Sequence, residues 1–214
     1  MAYIELKHVD KNYKNNPVFT DLNLTFEKGR SYGIMGHNGS GKSVLLKLIA
    51  GFAYADAGEI RIDDKLLKKD MDFIPDAGVS INAPEFMNNM SGLKNLLYLA
   101  EIKKVVSRTE IEDILKRFNL FEARGKRVST YSQGMKQRLR LAQALMESPE
   151  VLLLDEPMNV LDKEGVRLVK SILKQHLEQG KTLIFTSHSQ EDMDDLAQIR
   201  YEIDDGHVRE LSAV

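Results

Sequence analysis

The stretch G-H-N-G-S-G-K-S at residues 36–43 decides how this chain is read, because it fits G-x-x-x-x-G-K-[ST] at every fixed position. Ile34 and Met35 complete an apolar strand before it, and residues 44–50 read as a helix after it, which is the strand–loop–helix context the motif requires. Gly36, Gly39 and Gly41 let consecutive backbone N–H groups, including those of His37, Asn38 and Ser40, turn inward around a phosphate chain. Lys42 sets a cation against the outer phosphates, and the Ser43 hydroxyl is a ligand for Mg²⁺. The loop predicts a nucleoside triphosphate and leaves open which machine uses it.

Working outward, apolar and polar residues roughly alternate over residues 2–9 and 18–27, the mark of half-buried strands, with Asn15, Asn16 and Pro17 as the turn between them. A second turn at residues 27–29 precedes the strand at 31–35 that enters the phosphate loop. Gly51 stops the helix after the loop, and E-I-R-I-D at 59–63 alternates as another strand before a turn at Asp64 and Lys65. From residue 83 to about 128 the pattern turns helical, with Leu93, Leu96, Leu97 and Ala100 on one face and Ile111, Ile114, Leu115 and Phe118 on another. This segment reads as a helical insertion. Residues 137–146 are again helical, 151–154 form a short apolar strand, and 164–177 carry Val166, Val169, Ile172, Leu173 and Leu177 at helical spacing before a buried strand at 182–186. Strands alternating with helices around continuous apolar runs predict an α/β fold, a mainly parallel sheet covered by helices behind an N-terminal antiparallel β layer.

Composition narrows the function classes. Its 214 residues, 43 % hydrophobic, suffice for one large domain or for one domain carrying a smaller subdomain. Thirty basic against 32 acidic side chains leave a net charge of −2, so no global field draws the chain to nucleic acid or an anionic membrane. No apolar run approaches the roughly 18 residues that span a bilayer, and M-A-Y-I-E-L-K lacks the features of a signal peptide. A cytoplasmic protein is expected. Without cysteine there are neither disulfides nor thiolate metal sites.

Two further stretches carry chemistry. V-L-L-L-D-E-P at 151–157 places four apolar residues in a sheet interior and brings Asp155 out at the strand's carboxyl end, where open α/β sheets bind ligands. A carboxylate there can hold Mg²⁺ beside Ser43, and Glu156 is the candidate general base for an attacking water. An acidic pair also ends many strands without any such role. Y-S-Q-G-M-K-Q-R at 131–138 opens a helix with Ser132 and Gly134, and a helix N-terminus presents free N–H groups and a positive dipole end to a phosphate. In isolation Ser132 is simply an N-cap.

Phosphate loop, serine-glycine helix start, L-L-L-D-E-P strand, then Leu161-Asp162 and a lone His188 after a buried strand together resemble the nucleotide-binding domain of an ATP-binding cassette (ABC) ATPase. The likeness covers nearly the whole chain. It implies a P-loop NTPase fold in a single domain over 1–214, with a helical subdomain at about 83–148 and the antiparallel β layer at about 1–30 and 58–66. It implies that Tyr13 stacks on adenine and that residues from Gly36 through Ser43 to Val44 bind the phosphates of ATP. By the same resemblance Ser132, Gln133 and Gly134 form the signature motif, which contacts ATP held by the opposite subunit, Asp162 is the D-loop aspartate, and His188 is the switch histidine on the γ-phosphate. Glu156, His188 and Lys42 are then the catalytic set, and Ser43, Asp155 and Asn82, the last in the place of the Q-loop glutamine, the Mg²⁺ set. The implied partners are a transmembrane permease subunit and a second ATPase domain, identical or related, with no nucleic acid, and the implied place is the inner face of the cell membrane.

Three departures from the family pattern stand out. Val44 replaces a second hydroxyl, which in isolation costs roughly 1.5 to 3 kcal/mol of phosphate hydrogen bonding. Asn82 is one methylene shorter than glutamine. The signature reads Y-S-Q-G-M instead of L-S-G-G-Q, a form resembling a subgroup of bacterial exporter and antimicrobial-peptide resistance ATPases. In the family the helical insertion receives a coupling helix from the membrane partner, and Phe86, Met87 and Met90 are expected near that groove or in the subdomain core. Competing readings are a non-transport ABC ATPase and a regulatory cassette with reduced hydrolysis.

Overall fold

The structure, a computed structural model, describes residues 2–14, 16–82 and 86–211. β1 (Ala2–Tyr13) and β2 (Asn16–Glu27) pair antiparallel, and Tyr13 lies opposite Asn16. Asn16 and Pro17 therefore belong to β2 and not to the turn, while Asn15 lies outside the described residues. β2 is an outer strand, where a residue without an N–H is tolerated. β4 (Ala57–Ile62) and β5 (Lys65–Leu66) complete this sheet in the order β2-β1-β4-β5. Asp63 and Asp64 take φ of 46° and 63°, the two positive values of a tight hairpin turn, so Lys65 is already in a strand.

The second sheet holds β3 (Ser31–Met35), β6 (Ala77–Ser80), β7 (Val151–Leu154), β8 (Thr182–Thr186), β9 (Ile199–Asp204) and β10 (His207–Leu211) in the order β10-β9-β3-β8-β7-β6. All its pairings are parallel except that of β10 with β9. Successive side chains of a strand face opposite sides, which explains the unbroken apolar runs of β7 and β8. Val151, Leu153 and Ile184 pack towards the antiparallel layer, whereas Leu152, Leu154, Leu183 and Phe185 pack towards the helices on the other face. The first cluster includes Leu45, Leu46 and Ile49 of α1 (Lys42–Ala50). The second gathers α2 (Gly92–Lys103), α3 (Arg108–Arg117), α4 (Gln133–Leu145), α5 (Lys163–Glu178) and α6 (Gln190–Leu196). β6, α6 and the β9–β10 hairpin are additions to the elements expected from sequence. The first residues of the expected helical insertion, 83–85, lie outside the described residues.

Candidate functional site

The loop between β3 and α1 turns on Gly41, which has φ 109° and caps the helix, its carbonyl accepting from the Leu45 N–H at 2.8 Å. A Cβ there would lie 2.9 Å from the Phe19 ring and from Val18 Cγ1, so no side chain fits. The helix consequently begins at Lys42, two residues before the expected start, and Lys42 and Ser43 stand in its first turn. Lys42 is buried, and its ammonium folds back to donate to the carbonyls of Gly36 (2.8 Å) and His37 (3.1 Å). Burial pulls its pKa down, against the pull of Glu156 and Asp155. The buried Ser40 hydroxyl has no hydrogen-bond partner among the described residues.

Parallel pairing sets the ends of β3, β8 and β7 side by side, so the segments leaving these strands converge at one edge of the sheet. The Ser43 hydroxyl donates to Asp155 Oδ2 at 2.6 Å. The Thr186 hydroxyl donates to Asp155 Oδ1 at 2.8 Å and accepts from the Glu156 N–H at 2.9 Å, orienting both acidic residues. Glu156 takes φ 49°, a left-handed backbone that costs a non-glycine residue of order 1 to 2 kcal/mol. Such strain persists where the surroundings hold it in place, and it aims the carboxylate across the edge. Glu156 Oε1 lies 2.9 Å from His188 Nε2, which is also 3.3 Å from Lys42 Nζ. Despite that ion-pair distance the buried Oε1 accepts no well-oriented hydrogen bond among the described residues. Burial pushes the Glu156 carboxyl up, opposed by His188 and Lys42 and reinforced by Asp155.

A cleft of about 390 Å³ is lined by Asn38, Gly39, Gly41, Lys42, Ser43, Val44, Asp155, Glu156 and His188, together with Val18 and Asn159, which the sequence did not single out. Its hydroxyl and carboxylate donors are hard oxygens, the set that suits Mg²⁺. With an orphaned serine hydroxyl and glutamate oxygen beside it, the site fits both a phosphate chain and that cation. Asn82, exposed at φ 51°, follows β6, whose Ser80 carbonyl accepts from the Asp155 N–H at 2.8 Å. Thr186 is not singled out by the sequence either, because its hydroxyl at the end of T-L-I-F-T mirrors the one at its start and belongs to no motif. Gln137, buried, donates to the Pro157 carbonyl at 3.0 Å and ties α4 to the strand end. A polar side chain on the buried face of an amphipathic helix was the clue to it.

Other expected site residues lie apart from this cleft. Tyr13 ends β1, 47 % exposed, with the Lys11 ammonium 5.0 Å from its ring centroid. Ser132 caps α4, accepting from the Met135 N–H, and with Gln133 it is exposed. A Cβ on Gly134 would lie 3.3 Å from the Val160 carbonyl, so glycine lets the loop before α5 approach α4. Asp162 caps α5, accepting from the Gly165 N–H at 2.8 Å.

Residues 19–159 match the family described as "ABC transporter". The chain belongs to the ABC transporter family. It is an ATP-binding subunit of that family, with an ATPase domain. It is 40 % identical over 205 residues to the "Uncharacterized ABC transporter ATP-binding protein YybJ" of Bacillus subtilis (strain 168), covering 96 % of this chain and 94 % of that one. It is 34 % identical to the "Bacitracin transport ATP-binding protein BcrA" of Enterococcus faecalis, over 97 % of this chain and 68 % of that one. The "Lantibiotic transport ATP-binding protein SrtF" of Streptococcus pyogenes is 29 % identical over 91 % of this chain and 83 % of its own. In fold the cassette resembles the dimeric ATP-binding cassette MJ0796 bound to ADP and Pi, with a TM-score of 0.86 at 23 % identity over 99 % of this chain and all of that one. Among the ABC features, Val44 is the departure with a structural reason: its side chain is partly buried and packs against the apolar cluster under the antiparallel layer. No described helix is long and apolar enough to cross a membrane.

Proposed function

We propose that this cassette binds and hydrolyses ATP to drive a separate transmembrane partner, and that the assembly exports substrates of the peptide-antibiotic class. The convergence of Lys42, Ser43, Asp155, Glu156 and His188 at one sheet edge carries the reading. Backbone N–H groups of the loop from Gly36 to Ser43 cradle the phosphates, and Val44 lies against the same cleft. Ser43 and Asp155 would hold Mg²⁺, with Asn82 on the loop after β6 a further candidate. A cation held there would offset negative charge on the phosphates. Glu156 orients and polarises the attacking water while Lys42 and His188 stabilise charge developing on the γ-phosphate. Ser132, Gln133 and Gly134, with Asp162, serve the ATP held by a second cassette, and Tyr13 stacks on adenine.

Relatives named for bacitracin and lantibiotic transport support the exporter reading. Met87, exposed on a loop pinned by the Asn95 side chain, suits contact with the membrane partner, which holds the cassette at the cytoplasmic face, while its neighbour Phe86 packs against the helical cluster. Val44 and Asn82 favour a second reading, a cassette with reduced hydrolysis that acts as a regulatory half.

Steady-state ATP hydrolysis of purified protein decides between them. Glu156→Gln is expected to lower the rate by on the order of 100-fold or more while still binding ATP. It is also expected to trap an ATP-dependent dimer on a sizing column. Equal, low rates in both proteins would leave only the regulatory role.

A further inference from the structure

α5 turns an apolar face to the core, and one charged side chain is buried with it, Lys170 at 6 % exposure. Its ammonium lies 2.8 Å from Asp195 Oδ2, 2.9 Å from Asp192 Oδ1 and 3.6 Å from Glu191 Oε1. Only Asp192 is buried with it, and the other two carboxylates reach solvent. The second oxygen of Asp192 accepts from the buried Ser187 hydroxyl at 2.8 Å, and Ser187 Oγ in turn accepts from the Ser189 N–H at 3.1 Å. Ser189 Oγ accepts from the Asp192 N–H and starts α6, while the Ser187 N–H donates to the Ile34 carbonyl of β3. Both residues that flank His188 are thus tied through hydrogen bonds to one carboxylate, and that carboxylate is tied to α5.

We propose that Lys170 is a positioning residue for His188: its buried ammonium fixes Asp192, and through Asp192 and Ser187 it holds the loop that presents the imidazole. A buried ion pair adds little net stability, because desolvation offsets most of its Coulomb gain. What the pair supplies is direction. Asp162 is also the N-cap of α5, so the helix that carries the expected D-loop aspartate at its cap carries the anchor of the histidine loop two turns on. Lys170, Asp192, His188 and Glu156 line one continuous cleft of about 740 Å³. Lys170 acts through His188, whose γ-phosphate contact is itself the proposal above.

Lys170→Met is compared with Lys170→Arg, each checked for folding by its thermal midpoint. Folded Lys170→Met is expected to lose about 10- to 100-fold in kcat for ATP at nearly constant KM, with partial recovery in Lys170→Arg. A second readout needs no turnover: the imidazole C–H resonances of His188, assigned by their loss in His188→Ala, shift or broaden in Lys170→Met while those of His207 on β10 stay in place. Either readout unmoved in folded Lys170→Met overturns the proposal. If the wild-type chain hydrolyses no ATP, the hydrolytic function fails on its own and the resonances alone decide for or against the clamp. If Lys170→Met does not fold, Ser187→Ala, which removes only the hydroxyl, is judged by the same two readouts.

Discussion

Val44 serves two environments at once, lining the nucleotide cleft and packing against the apolar cluster beneath the antiparallel layer. A threonine at this position keeps one methyl for that packing and gains a hydroxyl within reach of the phosphates. A hydrogen bond to a charged group contributes about 1.5 kcal/mol or somewhat more, so Val44→Thr is expected to tighten ATP binding about tenfold. Calorimetric titration with ATP in the Glu156→Gln background, where turnover does not interfere, measures it. An unchanged Kd would mean that the loop's backbone donors already saturate the phosphates and that valine forfeits nothing. The departure at Val44 is legible in the sequence as a missing hydroxyl. Its packing is not, because the neighbours that share its cluster come from strands far along the chain.

The junction of α5 with β8 carries a pH dependence. His176, buried on α5, donates from Nε2 to the Thr182 carbonyl at 3.2 Å, and burial pulls its pKa from 6.5 to about 4. Between those values the unfolded chain binds a proton that the folded chain excludes. Stability is therefore intact above the unfolded pKa and falls as pH drops through this window, by roughly 3 kcal/mol in all. Urea unfolding at stepped pH is expected to show that slope, and His176→Gln, which can keep an N–H donor without titrating, to flatten it. An equally steep slope in the variant would assign the acid sensitivity elsewhere. At this scale much of the fold is legible: β7 and β8 announce themselves as apolar runs because both their faces are covered. β6, spelled A-G-V-S, has no such run and is recognisable only by its place beside β7. The β9–β10 hairpin left a weaker trace, the alternation of Ile199, Tyr201 and Ile203 followed by an Asp205-Gly206 turn at φ 43° and 78°. In the site, Lys42, Ser43, Asp155 and Glu156 follow from motif chemistry, whereas Thr186 and Lys170 act through tertiary contacts that no local pattern encodes.

At the scale of the whole molecule, the residues expected to act on ATP lie in two separate places. Among the described residues that line the cleft of Lys42, Asp155, Glu156 and His188, none comes from the start of α4, where Ser132 and Gln133 stand exposed. If the site is completed by a second copy, damage to the α4 start must spare nucleotide binding by one chain and abolish what two chains do together. Ser132→Glu places a carboxylate where the partner's γ-phosphate would come and weakens a helix cap, at a stability cost of about 1 kcal/mol. Its Kd for ATP, measured at protein concentrations too dilute for association, is expected to stay within about twofold of the parent's, since a factor of two is under 0.5 kcal/mol. In the Glu156→Gln background the same substitution is expected to remove the ATP-dependent dimer from the sizing column, and in the otherwise wild-type chain to bring hydrolysis to the level of Glu156→Gln. Weakened ATP binding by the dilute monomer would place Ser132 in its own chain's site, and a dimer that persists would move the contact between copies to another face of the molecule.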